Sequence, residues 1–151
     1  MNSNTMATTQ SRREESTIRP MRVLVVEPRP MVAPMLRRWL AQRGHTLNVA
    51  DAAESGFTQA VACRPDTVLV DLALGTSSAS TLANRLRTHP ITRTTALVAI
   101  GEPAVVAAGA GTTLFRRHVL KPIDVDELGA VLLDTAPPHA SPSVACATAG
   151  G

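Results

Sequence analysis

The 151-residue chain has no tyrosine, two phenylalanines and one tryptophan. A core must therefore be built from aliphatic side chains, and no aromatic series is present on which nucleic-acid bases would stack. Lysine is almost missing too. Of fifteen basic residues all but Lys121 are arginine. No apolar run approaches the ~18–20 residues of a membrane span, and residues 1–20 contain no apolar core of a secretory signal. Cys63 and Cys146 show neither CxxC nor Cys/His ligand spacing, which argues against a zinc site or a disulfide framework. Cys63 reads as a small core or surface residue. These absences point to a soluble, intracellular (cytoplasmic) protein without a membrane span.

What is present suffices for one domain, since ~100–200 residues is the usual size and 44% of the chain is apolar. The formal charge of +3 raises nucleic acid as a partner. Residues 21–135 hold twelve Lys/Arg against ten Asp/Glu, a net of +2, and the arginines are scattered as Arg37-Arg38, Arg85/Arg87 and Arg116-Arg117. Such a distribution describes solvated faces rather than a basic stripe, so no direct DNA binding is expected. Residues 1–20 and 136–151 are polar or Pro/Ala/Ser-rich and read as disordered tails around a domain at 21–135. The second tail is too short for a further folded domain. Met1, Met6 and Met21 are each possible starts, and Met21 stands directly before the first apolar run.

Within 21–135, short apolar runs alternate with longer amphipathic segments. Val23–Val26, Thr67–Val70 and Ala96–Ile100 are continuous, as strands buried on both faces of a parallel sheet would be. Thr46–Ala50 and Phe115–Leu120 are weaker strand candidates. Val32, Leu36, Trp39 and Leu40 share one helical face that Gly44 would close, with Pro30 in the first turn and Pro34 late enough to distort it. Asp51-x-x-Glu54 and Asp124-x-x-Glu127 resemble capping boxes, and Ser78 or Ser80 is placed to cap a helix carrying Leu82, Ala83 and Leu86. A fourth helix between Glu102 and Ala110 has little amphipathic signal. Alternating strands and helices imply an α/β fold, in which ligands bind beyond the carboxyl ends of the strands. Those ends carry Glu27, Asp71, Gly101 and Lys121. Two carboxylates and the one lysine converge there.

Across residues 21–135 the chain resembles the receiver domain of two-component response regulators. The resemblance is carried by Arg22-Val-Leu-Val-Val-Glu27, by Arg64-Pro-Asp-Thr-Val-Leu-Val-Asp71-Leu-Ala-Leu, by Leu82-Ala-Asn-Arg-Leu-Arg87 and by Leu120-Lys121-Pro122. It implies a doubly wound, flavodoxin-like sheet of five parallel strands in the order 2-1-3-4-5. It also implies that Asp71 accepts a phosphoryl group from a phosphohistidine donor, and that Lys121 pairs with the phosphoryl oxygens. Glu27, Asp71 and the Ala73 backbone carbonyl would hold Mg²⁺, weakly. The implied partners are a sensor histidine kinase or phosphotransfer protein and a downstream protein target met through the fourth helix, fifth strand and fifth helix. No enzymatic turnover is implied.

Four positions depart from the family pattern. The acidic pair after the first strand reads Glu27-Pro28, so a metal-binding side chain is lost. The hydroxyl residue ending the fourth strand is replaced by Gly101. The aromatic switch position on the fifth strand is His118, and Gly75-Thr-Ser-Ser-Ala79 replaces the usual Pro and Gly after the acceptor. The stretch from Gly101 to Lys121 is also short. Arg29 falls at the mouth of the acidic pocket, where its guanidinium is a candidate partial substitute for the weakened cation. Two alternatives follow: a pseudo-receiver working without phosphate, and a flavodoxin-like enzyme. The second lacks a Gly-rich phosphate loop after the first strand, where Glu27-Pro-Arg-Pro stands.

Overall fold

The structure, a computed structural model, describes residues 19–29, 31–109 and 113–137. The tails expected at 1–20 and 136–151 lie almost wholly outside the described residues. Five strands form one parallel sheet: β1 (Arg22–Val26), β2 (Thr46–Ala50), β3 (Thr67–Asp71), β4 (Ala96–Gly101) and β5 (Arg117–Leu120). Their order is β2-β1-β3-β4-β5, as the resemblance implies. Between them run α1 (Ala33–Ala41), α2 (Ala53–Cys63), a 3₁₀ turn (Leu72–Leu74), α3 (Thr76–Thr88) and α4 (Pro103–Ala107), and α5 (Val125–Thr135) closes the fold.

The sheet is the middle layer because its strands are apolar on both sides. Val23 and Val25 of β1 point with Leu69, Val98, Ile100 and Val119 toward Leu36, Trp39 and Leu40 of α1 and Leu128, Val131 and Leu132 of α5. The alternating residues Leu24 and Val26 point with Val68, Val70, Leu97 and Ala99 toward Ala60 of α2 and Ala79, Leu82, Ala83 and Leu86 of α3. Each such Leu or Val contributes about 1.5–3 kcal/mol when fully buried, so these two layers hold the fold. Arg85 of α3 joins the two helices of the second layer. Its guanidinium lies 3.9 Å from the centre of the Phe57 ring and 2.7 Å from Glu54, both on α2.

Several helix starts differ from expectation. Pro34 sits in the first turn of α1, where a proline removes no helical hydrogen bond, so it does not distort the helix. The α2 cap falls one residue later than Asp51, at Ala52, and Ser55 Oγ rather than Glu54 accepts from the Ala52 N–H. The α3 N-cap is Gly75, so neither Ser78 nor Ser80 is used. The Asp124 cap is as expected, with Oδ1 accepting from the Asp126 N–H at 2.8 Å. Gly44, at φ +80°, ends the turn after α1 and would strain any side chain.

Strand β2 is an edge, and its outward carbonyls are covered. Thr46 N–H and the Ala50 carbonyl bond toward β1, so Leu47 and Val49 present their carbonyls to the outside. Arg37 donates to the first and Gln59 to the second, each at 3.1 Å. Side-chain donors here block pairing with another chain.

At the opposite end of β1, buried His45 accepts the Met21 N–H on Nδ1 at 2.9 Å. Burial, and then the charge of Arg43, lower its pKa below the ordinary 6.5, with Asp66 opposing. A base whose folded pKa is depressed binds fewer protons folded than unfolded, so its contribution is complete above about pH 6.5 and is lost as pH falls below that value. Asn presents an acceptor in place of Nδ1 and does not titrate. The difference in urea midpoint between wild type and His45→Asn should therefore shift in the variant's favour between pH 7.5 and 5.5. A difference that stays constant with pH would remove His45 from the pH response.

Candidate functional site

The parallel register brings the carboxyl ends of β1, β3, β4 and β5 to one edge. Glu27 follows β1 directly and is 3% exposed; its N–H bonds the Ala50 carbonyl at 2.9 Å, extending the ladder to β2. Asp71 is the last residue of β3 and has no solvent exposure. Lys121 follows β5, where its N–H bonds the Gly101 carbonyl at 2.9 Å and its peptide bond to Pro122 is cis. Backbone hydrogen bonding thus fixes all three side chains at their roots.

Their side chains meet. Lys121 Nζ lies 2.8 Å from Asp71 Oδ2, and Asp71 Oδ1 accepts the Ala73 N–H at 2.8 Å. That second bond caps the 3₁₀ turn, so the acidic residue and the turn beyond it form one unit. Glu27 Oε1 accepts the Arg29 N–H at 2.9 Å. Arg29 is exposed, and it is this backbone group that reaches Glu27.

Glu27 and Asp71 lie close enough to act on one another and titrate as a pair. Burial, then the bond to Asp71, push Glu27 up to about 7, against the Arg29 N–H and the charge of Lys121. Burial works to raise Asp71 as well, but the bonds from Glu27, Lys121 and Ala73 outweigh it and hold Asp71 below its ordinary value. Asp71 is the ionised member, and Lys121 balances it.

The departures from the family pattern acquire physical content here. Gly101 is fully packed: a Cβ built on it would lie 2.8 Å from Leu72 Cδ1 and 3.2 Å from Val106 Cγ2. The space a hydroxyl side chain would take is filled by these two apolar groups. Sequence reasoning missed both, although a glycine ending a buried strand is itself a signal of close approach. His118 is half-buried, edge-on to the Phe115 ring at 6.2 Å, and its Nε2 has no partner among the described residues. The shortened segment before β5 appears as α4, which has only five residues.

No family model and no curated protein matches the sequence, so the likeness is carried by structure. A protein described as a response regulator from Chloroflexus aurantiacus is 26% identical, with a TM-score of 0.70 over 78% of this chain and 98% of its own. The chain has the fold of a response regulator receiver domain. A CheY-like receiver domain from Methylobacillus flagellatus, 23% identical, gives a TM-score of 0.69 over 77% of this chain and 98% of its own. The receiver domain of a sensor histidine kinase from Pseudomonas aeruginosa, 19% identical, gives 0.66 over 76% and 96%, and carries a magnesium ion coordinated in its active site cleft.

The Asp71–Lys121 pair permits a direct test. Removing Lys121 leaves a buried carboxylate without its counter-charge. A fully buried pair would lose ~3–5 kcal/mol, and about 2 kcal/mol is expected here because Lys121 retains some exposure. Lys121→Met should lower the urea midpoint accordingly, whereas the same substitution in an Asp71→Asn background should cost under about 0.5 kcal/mol. Equal losses in the two backgrounds would show that the pair is not coupled.

Proposed function

We propose that this protein is a phosphorelay receiver in which Asp71 accepts a phosphoryl group from a phosphohistidine of a sensor kinase or phosphotransfer protein, with protein–protein contact as output. The observation that carries this reading is the buried Asp71 at the carboxyl edge of a receiver fold, with Lys121 Nζ at 2.8 Å. An Asp71 carboxylate oxygen attacks phosphorus; the new O–P bond forms as the P–N bond breaks, and the electron pair leaves on the imidazole nitrogen. Such transfer relies on positioning and on neutralising charge at the phosphoryl oxygens rather than on covalent help from the protein. Lys121 supplies that positive charge, and the capped turn holds Asp71 in place. The residue is a stoichiometric acceptor, not a turnover catalyst.

The donor set suits a hydrated magnesium ion. Glu27 and Asp71 are in contact at the edge of the sheet, Ala73 lies two residues beyond the acceptor, and Mg²⁺ readily keeps several waters. Pro28 adds no ligand, and among the described residues no group of three acidic, His or Cys side chains is found, so the ion would be weakly held. When bound, it supplies further positive charge to the transferring group. For output, β5 leaves Leu120 exposed beside α4 and α5. Among the described residues no helix is long and apolar enough to cross a membrane.

A second reading, a pseudo-receiver acting without phosphate, is favoured by one observation: Leu72 and Val106 occupy the space of the missing hydroxyl. Intact-mass analysis after incubation with acetyl phosphate and Mg²⁺ separates the two. A gain of one phosphoryl group in wild type, absent in Asp71→Asn, is the expected result. No gain, with acetyl phosphate or with a phosphorylated histidine donor, would establish the pseudo-receiver.

A further inference from the structure

We propose that the groove between α1 and α5 is a binding site for a small amphiphilic carboxylic acid, its carboxylate beside Arg43 and His45 and its apolar body against Trp39 and Leu133. None of these residues belongs to the acceptor edge, so the site is independent of the role of Asp71.

The groove has a volume of about 520 Å³, within the ~300–1,000 Å³ usual for small-molecule sites. Trp39 of α1 and Leu133 of α5 line it, and Leu133 is 54% exposed. Apolar surface left open beside a cavity is surface that a ligand gains by covering. Gly129 of α5 also lines the groove. A glycine inside a helix is less stable than an alanine there. Gly129 has no left-handed backbone to explain it, and a Cβ built on it would lie 3.5 Å from Trp39 Cζ2, an ordinary van der Waals distance. Neither backbone nor packing demands glycine. Its missing methyl leaves the groove open beside the indole.

The polar groups of the lining are mostly donors. The Arg43 guanidinium lies 4.1 Å from the centre of the Trp39 ring and donates to the Trp39 carbonyl at 3.2 Å. Among the described residues no carboxylate pairs with it. His45 Nδ1 accepts the Met21 N–H, which leaves the proton of the neutral imidazole on Nε2. Trp39 Nε1 has no acceptor among the described residues. It is closed to solvent, so Arg43 is the first contact of an incoming carboxylate. The one carboxylate of the lining, Asp126, stands about 10 Å from Leu133 along α5. It repels an acid head and leaves Arg43 as the place for it. The groove thereby favours an acid over an amine of the same shape.

Trp39 is the only tryptophan in the chain, so its fluorescence and the single indole N–H resonance report on the site directly. The full chain is titrated with octanoate, and with octanol and octylamine as controls of equal length. Saturable binding of octanoate is expected, with both controls at least about tenfold weaker, as the loss of a charge-assisted contact implies. Arg43→Gln should weaken octanoate about tenfold, and Arg43→Lys should retain most of the affinity. Gly129→Ala adds a methyl to the groove and should weaken octanoate several-fold; because alanine favours the helix, this variant stays informative even if Arg43→Gln lowers the urea midpoint. A response to octanoate that rises without saturating overturns the proposal, and so does equal affinity for octylamine or octanol. Affinity unchanged in folded Arg43→Gln or in Gly129→Ala does the same. Trp39 fluorescence that depends on protein concentration without octanoate, with a dimer in sedimentation, would assign the groove to a second copy of the chain and overturn it too.

Discussion

A carboxylate without solvent exposure must be held by its neighbours, and Asp71 is held on every side. Taking an ion out of water costs several kcal/mol unless charge and hydrogen bonds replace hydration. Lys121 Nζ replaces it on Oδ2 and the Ala73 N–H on Oδ1, with the Glu27 carboxyl close by. Each of these partners comes from a different part of the chain. The site consequently exists only when β1, β3 and β5 are assembled in register, and its chemistry and the fold cannot be separated.

The sheet makes that assembly rigid by being apolar on both faces. Val23 and Val25 hold α1 and α5 on one side, while Leu24 and Val26 hold α2 and α3 on the other. With the helices occupying both faces, the strand ends are left to bring Glu27, Asp71 and Lys121 together. The edge strand β2 is closed off by Arg37 and Gln59, which keeps the sheet at five strands. Among the described helices, α4 alone has no fully buried residue.

Much of this was legible in the linear sequence. Uninterrupted runs such as Val68-Leu69-Val70 announce strands buried on two faces, and the alternation with Leu36/Trp39/Leu40 and Leu128/Val131/Leu132 places the helices. The strand ends then nominate Glu27, Asp71 and Lys121. Helix starts were less legible: the Asp51 cap was displaced to Ala52, and Gly75, not a serine, begins α3. A cap depends on the φ and ψ of one residue, which the chain's path across the sheet decides. The fate of Arg29 is similar, since its backbone rather than its guanidinium reaches Glu27.

The near-absence of aromatic residues and of lysine takes its meaning from this arrangement. By itself the sequence determined a two-faced aliphatic sheet, its order of elements, and the identity of the charged residues at the strand ends, because hydrophobic periodicity and residue type are local properties. Tertiary structure alone decided that Glu27 and Asp71 come together, so that burial lifts the first while Lys121 holds the second down. It alone decided, too, that Leu72 and Val106 fill the space beside Gly101. Both outcomes depend on distances between side chains far apart in the chain, and only the packed interior sets those distances.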